Sequence, residues 1–222
     1  MSIAGVLFDL DGTLLDTAPD MGGALNELLV EHGAQPLPAA LIRPWVSNGA
    51  AALVRLGFGA VDPVRHEHLR LRFLELYARR LAYETRLFPG GDALLTALES
   101  AGVPWGIVTN KPGWLTDPLL ESLGLAARAG VVISGDTLPE KKPHPAPLWL
   151  AAERLAVAPA AIAYLGDAER DMVAARAAGM RAVAATWGYI DPVAGHGGWP
   201  FDDEVHALDG VWPWLERNGL RS

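Results

Sequence analysis

The chain has 222 residues, half of them hydrophobic and a fifth charged, enough to bury a full core in one large domain or one domain with a small insert. Its net charge of -8 and scattered Lys and Arg give no basic footprint for DNA or RNA, and the lack of cysteine excludes disulfides, thiolate metal sites and cysteine nucleophiles. No secretory signal opens the chain and no apolar run approaches the ~18 residues that span a bilayer, so a cytoplasmic protein without nucleic-acid or membrane partners is expected.

Residues 3–8 are a nearly continuous apolar run rich in β-formers, the pattern of a strand buried on both faces of a parallel sheet. The run ends in Asp9-Leu10-Asp11-Gly12-Thr13. Two carboxylates at i, i+2 therefore stand where an open α/β sheet collects its ligands, and Gly12 lets the backbone turn. Carboxylates this close repel unless a cation lies between them or one stays protonated. Magnesium, which takes oxygen ligands, would leave Asp9 one oxygen to attack an electrophile while Asp11 handles the proton. Four fixed residues at ~5% usage each recur by chance at roughly 1 in 10⁵ positions, which argues against an ordinary Asp-rich turn.

Thr17-Ala18-Pro19-Asp20 reads as a helix start, with Thr17 as N-cap and Asp20 at the capping-box position. Met21, Ala24, Leu25, Leu28 and Leu29 then share one face up to a stop at Gly33, and Pro36, Pro38 and Pro44 break the next stretch of chain. After Ser47-Asn48-Gly49 a short helix is expected over residues 50–58, and Asp62-Pro63 opens a longer one with Leu69, Phe73, Leu76, Tyr77 and Leu81 as its buried stripe. Arg65, Arg70, Arg72, Arg79 and Arg80 read as a solvated face, and His66 and His68 point apart on a helix, so they make no metal pair. Residues 17–85 are thus expected to form a helical cap inserted after the first strand, a lid over the carboxyl edge of the sheet, with 1–16 and 86–222 as the core.

From residue 92 onward helices and strands alternate, which predicts an α/β fold with a central parallel sheet. A helix over 92–100 precedes a strand over 103–108 that ends in Thr109-Asn110. A helix over 115–123 and a strand over 131–133 lead to a polar loop in which three prolines confine Lys142. A helix over 146–155 is followed by a strand over 162–165 that ends in Gly166-Asp167-Ala168-Glu169-Arg170-Asp171. The next helix stops at Gly179, a fifth strand covers 181–185, and a long loop reaches Phe201 before a weak strand near Val205 and a helix over 212–217.

Asp9-Leu10-Asp11-Gly12-Thr13 resembles motif I of the haloacid dehalogenase-like (HAD) phosphatases, and Thr109, Lys142 and the pair Asp167 and Asp171 resemble motifs II, III and IV in order. The resemblance covers nearly the whole chain and implies a Rossmann-like core with a helical cap. It implies that Asp9 is the nucleophile, that Asp11 is general acid and base with its backbone carbonyl on magnesium, and that Asp167 completes the metal set of Asp9, Asp11 and Asp167. Asp171 is expected behind that set, holding Lys142 or a water. Phosphate and substrate contacts are expected from Thr109, Asn110, Lys142, Gly12, Asn48 and Gly49. Lys141 and Lys111 are rival lysines, but the K-P-x-P context selects Lys142, and Glu169 reads as solvent-facing.

Residues 9–20 (DLDGTLLDTAPD), 47–50 (SNGA), 108–112 (VTNKP), 142–148 (KPHPAPL) and 166–171 are similar to the phosphoglycolate phosphatase branch of that family. This implies hydrolysis of a small phosphomonoester, 2-phosphoglycolate first. Trp105-Gly106 and Gly188-Tyr189-Ile190 look somewhat like the N-acetylmuramic acid 6-phosphate phosphatases of the same branch, which supply the alternative. A sugar phosphomutase shares the core and cap and stays open as a reading. A non-enzymatic phosphate-binding regulator should have lost a motif residue, and none is lost. A dehalogenase needs neither the second Asp nor a metal. A monomer or homodimer is expected. Ser47-Asn48-Gly49 reads either as a helix start capped by Ser47 or Asn48, or as a turn facing the active site, with Arg43 as a weaker candidate for a substrate carboxylate.

Overall fold

In a computed structural model that describes residues 2–220, the elements run β1 (Gly5–Phe8), β2 (Leu15–Asp16), α1 (Ala18–Glu31), α2 (Ala39–Ile42), a 3₁₀ turn (Arg43–Asn48), α3 (Gly49–Phe58), α4 (Pro63–Ala78) and β3 (Arg86–Leu87). They continue α5 (Gly91–Ser100), β4 (Trp105–Val108), α6 (Gly113–Ser122), β5 (Val131–Ile133), α7 (Ala146–Leu155), β6 (Ile162–Gly166), α8 (Glu169–Ala178), β7 (Arg181–Ala185), β8 (Asp203–Val205) and α9 (Val211–Arg217). Among the described residues, six strands form one parallel sheet in the order β5-β4-β1-β6-β7-β8. The expected α/β fold with a central parallel sheet is the one observed.

A parallel sheet needs cover on both faces, and the two-residue period of a strand divides its side chains accordingly. Val6 and Phe8 of β1 pack into one cluster with Leu94, Leu95 and Leu98 of α5 and Val211 and Leu215 of α9. Leu7 points the other way, to Leu148 and Ala151 of α7 and Met172 and Ala175 of α8. Strand β1 lies between β4 and β6, in register Phe8↔Ile107 and Phe8↔Leu165. The carboxyl ends of these three strands therefore deliver Asp9, Thr109 and Asp167 side by side.

Helices α1 to α4 leave and rejoin the sheet through β2 and β3, which pair antiparallel as Leu15↔Leu87 and Asp16↔Arg86. A two-residue ladder has no alternation to read, so the sequence pattern marks these crossings only as connections. The buried side chains of α1 and α4, among them Leu25, Leu28, Phe73 and Leu76, pack against each other.

Three local expectations change. Asp20 is not a capping-box residue: α1 has no side-chain cap, and Asp20, fully buried, accepts from the backbone of Glu84 and Thr85 and from the Thr85 hydroxyl (2.7 to 3.1 Å). It ties the outgoing crossing to the returning one. The strand expected from residue 103 begins at Trp105, because the Val103 N–H closes the end of α5 on Leu98. Leu81 lies beyond α4 and is only partly buried. Asp62 caps α4 as its position before Pro63 suggests, accepting from Val64 and Arg65.

Candidate active site

The site gathers where β1, β4 and β6 end. Lys142 is buried, and its Nζ lies 2.8 Å from Asp9 Oδ1, 2.8 Å from Asp171 Oδ1, 2.8 Å from the Val108 carbonyl and 2.7 Å from the Tyr164 hydroxyl. Four oxygens surround three ammonium protons, which fixes the charge in place. Asn110 pins the same loop: its amide donates to the Lys142 carbonyl at 2.9 Å and accepts from the Lys142 N–H at 3.0 Å. Expected as a phosphate contact, Asn110 lines the cavity, but its amide is spent on positioning Lys142.

Carboxylate oxygens of Asp9, Asp167 and Asp171 all lie within 4.8 Å of one another, and all three residues are buried. Burial, chiefly, pushes the Asp9 carboxyl up against the counter-pull of Lys142. Burial first, then Asp9 and Asp171, pushes Asp167 up to about 7. A cluster that resists ionising together is one that a divalent cation completes, and an all-oxygen donor set suits magnesium. Asp171 has both oxygens engaged, Oδ1 at Lys142 and Oδ2 accepting from the Ala168 N–H at 3.1 Å.

Asp11 is oriented differently. Its carboxylate turns to Lys111, whose Nζ lies 2.9 and 3.2 Å from the two oxygens and donates at 2.8 Å to the Tyr77 hydroxyl of α4. The Asp11 carbonyl faces the Ser47 hydroxyl at 3.4 Å. Lys111, a rival to Lys142 by sequence, thus serves the second carboxylate instead of the first. Burial alone would lower the Lys111 ammonium, but Asp11 and Tyr77 more than offset this and raise it.

Thr109 is buried at the end of β4 and its hydroxyl accepts from the Lys111 N–H at 3.1 Å. Gly12, expected among the substrate contacts, has φ +87, and a Cβ there would stand 2.1 Å from Asp167 Oδ2. It lies outside the cavity wall; its smallness lets the motif turn pass the Asp167 carboxylate. Gly188 is also held to glycine by space, since a Cβ there would stand 2.3 Å from Asp167 Cβ.

A cavity of about 630 Å³ opens from Asp9 and Asp11 between the sheet edge and the helices. Its walls include Thr109, Lys111, Arg170, Ser47, Asn48, Gly49, Leu74, Tyr77 and Lys141. Arg70, read by sequence as part of a solvated face, also lines it, held by Glu67 through two bonds of 2.6 and 2.7 Å. Arg43 does not reach it: it pairs with Asp16 at 3.0 Å and lies over the Tyr189 ring. Neither alternative of a capped helix holds for Ser47-Asn48-Gly49, since α3 has no side-chain cap and the Ser47 hydroxyl donates to Asp167 Oδ2 at 2.7 Å.

Tyr189 carries no site role in the sequence reading beyond a family likeness. Its N–H donates to Asp167 Oδ2 at 2.8 Å, while its hydroxyl donates to Asp16 at 2.7 Å and accepts from the Ala18 N–H. It links the carboxylate cluster to the crossing between β2 and α1. Glu169 is exposed as expected.

The family described as Haloacid dehalogenase-like hydrolase matches residues 6–185. A phosphoglycolate phosphatase of Xanthomonas campestris pv. campestris is 50% identical over 211 residues, covering 93% of this chain and 94% of its own. An N-acetylmuramic acid 6-phosphate phosphatase of Pseudomonas putida is 42% identical over 212 residues, covering 94% and 95%. Among solved structures, a predicted phosphoglycolate phosphatase from Haemophilus somnus superposes with a TM-score of 0.82 at 27% identity, covering 96% of this chain and 98% of that one. With that match running from β1 through β7 and over every strand-end motif, the chain belongs to the haloacid dehalogenase-like hydrolase family.

Proposed function

We propose that the protein is a magnesium-dependent phosphomonoesterase working through an aspartyl phosphate on Asp9, with residues 17–85 as a cap over a core formed by 1–16 and 86–222. The observation that carries this reading is the Asp9 carboxylate: Oδ1 is tied to Lys142 at 2.8 Å, which leaves the second oxygen for the cavity. Asp9 attacks phosphorus, the ester P–O bond breaks, and Asp11 gives the leaving alkoxide its proton. Asp11 then takes a proton from the water that attacks the aspartyl phosphate, which frees phosphate and restores Asp9. Lys142 and the Thr109 hydroxyl meet the charge on the phosphoryl oxygens. The carboxylates of Asp9 and Asp167 and the carbonyl of Asp11 would hold magnesium, which supplies the positive charge that lets the clustered carboxylates ionise together and approach an anionic ester. Asp171 holds Lys142 in position.

The names of the relatives point to 2-phosphoglycolate as the substrate. One observation favours the second reading, N-acetylmuramic acid 6-phosphate, the substrate named for the P. putida relative. The cavity of about 630 Å³ lies within the range of about 300–1,000 Å³ that encloses drug-sized ligands and greatly exceeds a two-carbon acid. Its wall also mixes apolar side chains with Arg70 and Lys141, which suits a sugar ring bearing a carboxylate. Purified protein assayed with magnesium on 2-phosphoglycolate, N-acetylmuramic acid 6-phosphate and hexose phosphates decides between them. Hydrolysis of none of these, or activity fully retained in EDTA, overturns the proposal; phosphoryl transfer within a sugar phosphate without release of phosphate moves it to the mutases.

A further inference from the structure

Arg170 occupies none of the motif positions. It stands in the first turn of α8, directly before Asp171, and lines the cavity with Asp9, Asp11 and Asn48. Its Nη2 donates to the Ser47 carbonyl at 2.6 Å. Burial alone would lower the guanidinium, but Asp171, Asp9 and Asp167 around it raise it, so it stays charged in place.

The segment it grips is tied at its other end by Arg43, which pairs with Asp16 at 3.0 Å. Residues 43–48 form a 3₁₀ turn, Gly49 comes next at φ +76, and neither Ser47 nor Asn48 caps α3. At the Ser47 end a further tie is the Ser47 hydroxyl on Asp167 Oδ2, at 2.7 Å. That tie ends on a carboxylate of the cluster that would take a cation. The Arg170 bond ends on a backbone carbonyl and involves no carboxylate of the cluster. A planar, permanently charged fork also holds a carbonyl across a gap with less freedom than an ammonium would.

We propose that Arg170 is a positioning residue for substrate recognition: by gripping the Ser47 carbonyl it sets the Ser47-Asn48-Gly49 wall over Asp9. The segment that carries Asp167 and Asp171 then also fixes the face that meets the non-phosphate part of the ester. The proposal rests on the phosphomonoesterase reading for its substrate, and on the geometry alone for its grip.

The test compares full-length wild type, Arg170→Gln and Arg170→Lys by hydrogen exchange, with and without magnesium, and by steady-state kinetics on N-acetylmuramic acid 6-phosphate and 2-phosphoglycolate. Loss of one charge-assisted hydrogen bond should speed exchange about 10-fold in peptides covering residues 43–52, and raise KM about 10-fold on the better substrate with a smaller change in kcat. Peptides from α7 serve as the control and should not change. Arg170→Lys should recover only part of the protection. Unchanged exchange over 43–52 in Arg170→Gln overturns the grip, and a fall in kcat at constant KM overturns the recognition role in favour of direct action on the phosphoryl group. If wild type hydrolyses neither ester, the substrate reading fails by itself, and the exchange comparison still decides the grip.

Discussion

The Lys111 ammonium lies 2.9 and 3.2 Å from the two oxygens of Asp11 while donating to the Tyr77 hydroxyl at 2.8 Å, so the proposed acid and base is wired to helix α4. Tyr77 is itself pushed up to about 12, chiefly by burial, and remains a neutral donor and acceptor. Helix α4 and the turn that carries Asp11 therefore share one hydrogen-bonded chain.

Removing the ammonium in Lys111→Met leaves Asp11 and Tyr77 without their common partner. Loss of charge-assisted bonds of this kind costs about 2 kcal/mol, and a misplaced general acid costs about 10² in rate, so kcat should fall by about that factor with a modest drop in Tm. Tyr77→Phe keeps the ion pair and should cost about 1 kcal/mol with a smaller effect on kcat. Wild-type kcat in Lys111→Met would show that Asp11 needs no such anchor.

Asp9→Asn separates chemistry from stability. The amide cannot form the acyl phosphate, and loss of a nucleophile removes several orders of magnitude of rate. In the metal-free protein the same change relieves a buried carboxylate that its surroundings hold against ionisation. The Tm without magnesium should therefore equal or exceed that of wild type. A clear fall in metal-free Tm would mean that the Lys142 contact outweighs the repulsion within the cluster.

The raised Asp167 carboxyl sets a pH dependence. With its folded value near 7 against an unfolded 3.8, the folded protein binds more protons than the unfolded chain between those limits. Its contribution to metal-free stability is therefore neutral below about pH 4 and grows more unfavourable as pH rises toward about 7. Magnesium requires the ionised carboxylates, so the Tm gain on adding magnesium should be small at about pH 5.5 and large at about pH 8. Equal gains at both pH values, read by thermal melts, would reject Asp167 as a ligand.

The strand-end motifs were legible because each couples a periodic apolar run to a polar turn: Phe8 to Asp9, Val108 to Thr109, Leu165 to Asp167. The K-P-x-P context of the resembled family separated Lys142 from its rivals. What the sequence could not carry was partnership across the chain. Ser47 and Asp167 are 120 positions apart, and Tyr189 reaches Asp16 over 173, so no local pattern announces either bond. Arg70 and Arg170 look like ordinary helix-surface charges until the cavity between the two layers is in view. Asp20 misled for the opposite reason: a good local cap signal was overridden by the crossing at Glu84 and Thr85, whose backbone donors it satisfies instead.

Asn48 offers a direct test of where specificity is written. It lines the cavity and makes no capping bond to α3, so its truncation should not cost the ~1 kcal/mol expected when a helix loses its N-cap. If its amide meets the non-phosphate end of the ester, Asn48→Ala should lower kcat/KM on the true substrate by about 10-fold, the worth of one hydrogen bond, and affect p-nitrophenyl phosphate much less. The aryl ester is bulky, and its distal nitro group is only a weak acceptor, with no hydroxyl, amide or carboxylate there. A Tm drop that matches the loss of activity would make the residue structural. An equal loss on both esters would place its effect at the phosphoryl group and shift the search for specificity to Arg70 and Lys141 on the rest of the cavity wall.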